Sequence, residues 1–176
     1  MIIKAQFSDL ENILALTKAC AKKMIDNDIY QWNETYPNIE IFKKDVERGE
    51  LYVFTSPSFD SGKTGQIMGC IVISSEMDGE YKTVNWQTET SEQFYIHRLA
   101  VHPEFQGQGI ARKLMDFAEE LGREQKKKSI RLDTFSKNLQ NQSFYESRGY
   151  QRLGSIHFPK QSDFPFYCYE LILTTT

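Results

Sequence analysis

Gln106-Gly107-Gln108-Gly109-Ile110-Ala111 is the stretch that decides the fold, and it lies inside a longer unit, Tyr95 to Gly149. That unit reads as a buried strand, a glycine-rich bend, an amphipathic helix, a second strand and a short capped helix. Two glycines one residue apart, opening straight into a helical pattern, let the backbone bend tightly and leave the first helical N–H groups free to hold an anion. The outline is that of a phosphate cradle. Two familiar cradles do not fit it. A dinucleotide fingerprint needs glycine or alanine at its sixth position, where counting from Gly107 the chain has Arg112, and a P-loop ends in Gly-Lys-Ser/Thr, which Ile110-Ala111-Arg112 does not supply.

Outward from the cradle, Phe94 to Val101 alternates as a strand, with Tyr95, His97, Leu99 and Val101 expected on one face and Phe94, Ile96, Arg98 and Ala100 on the other. The helix behind the cradle carries Ile110, Leu114, Phe117, Ala118 and Leu121 on one stripe and leaves Glu119, Glu120 and Arg123 outside it. Ile130 to Thr134 reads as a strand, Asn138 as the N-cap of a short helix that Gly149 ends, and Gln151–Ser155 and Phe166–Leu173 as two closing strands. Upstream, Ile2–Phe7 reads as an edge strand. Ser8 and Glu11 form a capping box for a helix to about Ile25, and a second helix starts after Pro37-Asn38, buries Ile39, Phe42 and Val46, and stops at Gly49. Leu51–Thr55 and Gln66–Ser74 make a hairpin around the Ser56–Gly65 turn region. Glu76–Gln93 is polar and too long for a simple turn, a length that goes with binding or mobility.

A chain of 176 residues with 40% hydrophobic, 13% aromatic and 26% charged residues is expected to fold as one globular domain over 1–176. Its formal charge of −3 argues against a nucleic-acid partner, which needs a concentrated basic face. Lys126-Lys127-Lys128 reads as a solvated helix end. Cys20, Cys70 and Cys168 are far apart and form no Cys-x-x-Cys pair, so no metal site is expected, and such cysteines suit a reducing cytoplasm. Charges at Lys4, Asp9, Glu11 and Lys18 break the N-terminal apolar residues. Neither a signal peptide nor a membrane span is expected.

The cradle and its flanks together resemble the GCN5-related N-acetyltransferase (GNAT) superfamily, whose signature is Gln/Arg-x-x-Gly-x-Gly/Ala. Gln106, Gly109 and Ala111 fill its positions, with Leu99-Ala100-Val101-His102-Pro103 on the strand side and Asn138, Phe144-Tyr145-Glu146 and Gly149-Tyr150 downstream. Asn141 stands where the family often has alanine. The resemblance implies a mixed α/β (α+β) fold: a mostly antiparallel sheet of six to seven strands, about four flanking helices, and a splayed strand pair that admits an acyl arm. It implies acetyl-CoA as donor and, as acceptor, a primary amine of a small molecule or peptide; with the composition above, a cytoplasmic monomer or homodimer with no nucleic-acid or membrane partner is expected. A longer acyl donor and a non-catalytic acyl-CoA-binding sensor or interaction module stay open at this point.

The resemblance also assigns roles. N–H groups over Gly107, Gln108, Gly109, Ile110 and Ala111, with Gln106, would face a pyrophosphate; backbone groups of Leu99 and Val101 would hold the pantetheine; and Asn138 would contact the cofactor while also serving as a cap. Trp32, Glu34 and Tyr36, between the first two helices, would line the acceptor pocket, although Trp32 and Tyr36 read equally as core cover. An alkylamine with a pKa of about 10.4 needs a base or a desolvating pocket near pH 7. Tyr95 occupies the position where some GNAT branches carry a catalytic glutamate, which leaves His97 as a base or as a structural histidine. Tyr145 stands at the family's general-acid position, where its hydroxyl would assist thiolate departure, or else belongs to the core.

Overall fold

The computed structural model describes residues 1–57, 64–89, 91–159 and 161–173. Seven strands form one sheet: β1 (Ile2–Lys4), β2 (Leu51–Thr55), β3 (Ile67–Ser74), β4 (Gln93–Val101), β5 (Ser129–Phe135), β6 (Gln151–Ile156) and β7 (Phe166–Ile172). Their spatial order is β1-β2-β3-β4-β5-β7-β6. Every neighbour is antiparallel except β4 and β5, which run parallel because helix α3 (Ile110–Glu124) carries the chain back across the sheet between them. The remaining helices are α1 (Leu10–Ile25), α2 (Ile39–Glu47) and α4 (Leu139–Ser147). The hairpin, both glycine stops and all four helices fall where the sequence predicts them. The middle of the Ser56–Gly65 turn, 58–63, lies outside the described residues.

Two layers cover the sheet. On one face, Ile110, Leu114, Met115 and Ala118 of α3 and Tyr145 of α4 pack on Ile71, Ile73, Phe94, Ile96, Val101, Ile130 and Leu132. On the other, α1 and α2 close over Leu51, Val53, Cys70, Val72 and Ala100 through Ile13, Leu16 and Phe42, while Tyr81 closes over Tyr95, Phe135 and Cys168. Burial of this apolar surface is the main force holding the layers together. Among the described residues no helix is long and apolar enough to cross a membrane.

The entry to α1 differs from expectation. β1 ends at Lys4 and a 3₁₀ turn, Phe7–Asp9, precedes the helix, so it is Asp9 that accepts from the Gln6 N–H at 2.8 Å, and not Glu11 from Ser8. Glu119 is not outside the α3 stripe but 8% exposed, because its Oε1 accepts from Arg148 Nη2 at 2.8 Å and from the Tyr150 hydroxyl at 3.4 Å. The long Glu76–Gln93 connection, of which residue 90 lies outside the described residues, is tied to the sheet. Glu170, wholly buried beside Arg131, accepts from the Gln87 N–H at 2.7 Å and the Thr88 hydroxyl at 2.6 Å. A buried carboxylate with this many donors stays charged: burial alone would raise it, and the hydrogen bonds bring it below its ordinary value.

Candidate active site

The β4–β5 ladder is short. It pairs Gln93–Ile96 with Ser129–Leu132 and stops, after which β4 follows β3 and β5 follows β7. A β-bulge drives the separation: Val72 pairs with His97 but Cys70 pairs with Ala100, so β4 carries one extra residue there. Arg98 takes up that residue with φ +51, a left-handed conformation that costs a non-glycine residue about 1–2 kcal/mol. A buried clamp holds it, since Arg98 Nε and Nη2 donate to Asp45 Oδ2 and Oδ1 of α2 at 3.1 and 2.7 Å, and Nη1 donates to the Tyr36 hydroxyl at 3.2 Å. The bulge corrects the predicted faces of β4. Tyr95 and His97 share a face with Ala100, whereas Leu99 and Val101 lie opposite with Ile96, because strict alternation does not survive an inserted residue.

A cleft of about 590 Å³ opens at this fork, between Leu99–Val101, the start of α3, the start of α4, and the end of α1 with the connection that follows it. Gly107 and Gly109 have φ of +78 and +76, and a Cβ at either would meet nothing within 4 Å. The demand for glycine here is conformational, and the space in front is open. Gly109 is also the N-cap of α3 and offers no side-chain acceptor, so the first N–H groups of α3 face the cleft without a cap. Gln106 Nε2 donates to the Val101 carbonyl at 3.0 Å, the same oxygen that accepts from Cys20 Sγ at 3.2 Å, and Lys23 Nζ donates to Gln106 Oε1 at 2.6 Å. His102 N–H pairs with the Met68 carbonyl, so the pleat turns the groups of Val101 away from β3 and leaves its N–H directed to the fork. Asn138 caps α4 by accepting from the Asn141 N–H at 3.1 Å, and its Nδ2 donates to Gln31 Oε1 at 3.1 Å across the cleft.

Of the residues singled out in the sequence, Leu99, Val101, Gln106, Gly107, Gly109, Ile110, Ala111, Asn138, Tyr145 and Trp32 line this cleft together. Gln108 does not; its side chain lies along the outside, with Nε2 3.4 Å from the Glu104 carbonyl. Trp32 is 6% exposed and serves both the cleft wall and the core under α1 and α2. Tyr36 is committed to Arg98, Glu34 is exposed, and Tyr95 is buried with its hydroxyl accepting from Arg131 Nη1 at 3.3 Å. His97 faces the Tyr81 side of the sheet, with Nδ1 3.8 Å from Asp78 Oδ2, and does not line the cleft. Burial, reinforced by Arg98, pushes its imidazole down to about 3, too weak a base for an ammonium proton.

Every buried side-chain nitrogen and oxygen among the described residues has a hydrogen-bond partner. The Tyr145 hydroxyl has none, so it is open to the cleft. Burial first, and the charge of Asp133 second, raise this phenol above its ordinary value, which keeps it protonated at any physiological pH. Sequence reasoning passed over Cys20, Lys23 and Met24, because an apolar or basic residue near a helix end looks the same whether it faces core or cleft. It also passed over Asp133, whose signal was present: Ile130-Arg131-Leu132-Asp133 puts two charges on one face of a buried strand.

The uncapped N–H groups of α3, the open space before both glycines and the free strand edge at Val101 fit the pyrophosphate and amide-bearing arm of an acyl-CoA. Comparisons with known proteins bear on the family and the fold. The model of the Acetyltransferase (GNAT) family matches residues 17–150. A Bacillus subtilis protein, the uncharacterized N-acetyltransferase YesJ, is 27% identical over 154 residues, covering 86% of this chain and 81% of that one. The crystal structure of a GNAT-family acetyltransferase from Streptococcus agalactiae superposes with a TM-score of 0.77 at 22% identity, over 98% of this chain and 94% of that one. That of the NatC complex bound to Gag peptide and CoA contains a chain that superposes with a TM-score of 0.68 at 20% identity, over 99% and 98%.

Proposed function

The chain belongs to the GNAT family of acetyltransferases, whose members use acetyl-CoA, and on that premise we propose that it moves the acetyl group to a primary amine of a small molecule or peptide. The observation that carries the reading is the conjunction, in one cleft, of an α3 N-terminus with no side-chain cap and a Tyr145 hydroxyl with no partner. The first is a seat for a doubly charged phosphate group. The second is a donor waiting for charge to develop beside it.

In this reading the N–H groups from Gly107 to Ala111, with the helix dipole behind them, hold the pyrophosphate without any lysine. Gln106 keeps the Val101 carbonyl engaged, so the pantetheine amides meet the Val101 N–H on the strand edge. Bound acetyl-CoA supplies an activated thioester, whose carbonyl carbon is the electrophile. Tyr145 steadies the negative charge that gathers on sulfur as the C–S bond breaks; with its phenol raised by burial it donates a hydrogen bond and keeps its proton. Asn138 fixes the start of the helix that carries Tyr145, and Trp32 with Gln31 closes the opposite wall.

Thiol release from acetyl-CoA, measured against a panel of polyamines, amino acids, aminoglycosides and short peptides, tests the proposal. Amine-dependent release with at least one class, and an acetylated product of matching mass, is expected. Saturable acetyl-CoA binding with no release across the panel would overturn it.

A further inference from the structure

We propose that Asp133 takes the proton from the acceptor amine, working from the opposite side of the fork to Tyr145. The inference rests on the acetyl transfer proposed above and deepens it. Asp133 is the first residue of β5 beyond the last pair that β5 makes with β4, Ile96 with Leu132. Leu132 and Tyr145 belong to the core under α3 and α4, so alternation turns Asp133 to the other face, the one that carries Tyr95 and His97. Tyr145 and Asp133 therefore stand on opposite faces of the sheet where β4 and β5 part; Asp133, like His97, is not on the wall of the α3 cleft, and an acceptor would come to it from the Tyr81 side.

The carboxylate is set up for use. Its Oδ2 accepts from the hydroxyl of Tyr81 at 2.6 Å, and Tyr81 is fully buried, so the side chain is anchored. Its Oδ1 has no hydrogen-bond partner among the described residues and is not wholly enclosed. The charged and titratable groups around it are Asp78, Glu80 and Tyr81 of the connection after β3, His97 and Arg98 of β4, Tyr145 of α4, Cys168 of β7 and Tyr36 before α2. Arg98 is paired with Asp45, so it only partly offsets the three carboxylates Asp78, Glu80 and Asp133 on this side. Burial, with Asp78 and Glu80 behind it and Tyr81 and Arg98 opposing, raises Asp133 to about 6. That is charged at pH 7 yet far more basic than an ordinary carboxylate.

In the step, one N–H bond of the ammonium breaks and its proton goes to Oδ1. The freed lone pair forms the N–C bond to the acetyl carbonyl while the C–S bond breaks, and the sulfur leaves with the electron pair and takes the second nitrogen proton. Asp133 then returns its proton to solvent.

Asp133→Asn is the test, read with the fastest amine of the panel above. Its kcat/KM is expected to fall by roughly a hundredfold or more. The wild-type rise in rate through pH 6 should vanish, and the acetyl-CoA thermal shift should stay. Tyr81→Phe removes a donor that favours the charged carboxylate, so it should move the rise to higher pH. The stability readout has its own sign. A carboxyl near 3.9 when unfolded and about 6 when folded loses stability as pH rises between those values. Asparagine escapes that loss, so Asp133→Asn should melt above wild type at pH 8 and level with it at pH 3. An unchanged kcat/KM and pH profile would overturn the base assignment while leaving acetyl transfer intact. Loss of acetyl-CoA binding or a lower melting temperature at pH 8 would make Asp133 a structural residue, and no release from wild type would remove both proposals.

Discussion

Two helices begin at the same cleft, and they begin differently. α3 starts at Gly109, left-handed and without a side chain to close its end, whereas α4 starts at Asn138, which accepts from the Asn141 N–H and reaches across to Gln31. α2 resembles α4, with Asn38 accepting from the Ile41 N–H. Of these three starts, two are closed by an asparagine side chain and that of α3 is not, which in the proposed reading leaves its backbone for the cofactor. α3 contributes main chain to the cleft; α4 contributes side chains.

The largest effect should come from breaking the open end. Saturating acetyl-CoA at a hundredfold over its dissociation constant adds about 2.7 kcal/mol to stability, which calorimetry or dye melting reads as a shift of several degrees. Gly109→Glu forces a side chain into φ +76 and brings a negative charge to the anion seat, and the shift should disappear. A folded Gly109→Glu protein with the wild-type shift would end the assignment of α3 as the phosphate seat.

On the closed helix, Tyr145→Phe removes one oxygen and leaves the ring in the core. Turnover should drop roughly tenfold to a thousandfold with acetyl-CoA affinity nearly constant. Equal turnover, with chemistry rate-limiting, would return Tyr145 to a packing role. Smallest of all is Asn138→Ala, which makes α4 resemble α3 at its start. It should cost about 1 kcal/mol of stability and a few-fold in acetyl-CoA affinity, while Asn38→Ala costs about the same stability and no affinity. Matching affinity losses in the two variants would mean that both act through stability alone.

The same contrast explains what was legible in the sequence. An open helix end is written in two glycines, since positive φ is a local property of the backbone, and Asn138 announces its cap in the same local way. The hairpin and the helices followed from periodicity and stops, and the mostly antiparallel sheet from the family resemblance. The faces of β4 were not legible, because the bulge at Arg98 depends on Asp45, 53 residues earlier, and no pattern within the strand encodes a distant clamp. His97 accordingly read as a group on the cofactor face when the inserted residue separates it from Leu99 and Val101. Asp133 was visible as a charge in a buried strand, but its anchoring by Tyr81, 52 residues away in a polar connection, was not.

Cys20 adds a consequence of a different kind. Its sulfur lines the cleft, bonded to the Val101 carbonyl, where a thioester would otherwise find a nucleophile belonging to the protein itself. Burial pushes this thiol up to about 11, so at pH 7 it stays protonated and the reactive thiolate is scarce. In the proposed reaction this would spare the cleft wall from acylation and keep the acyl group for the acceptor.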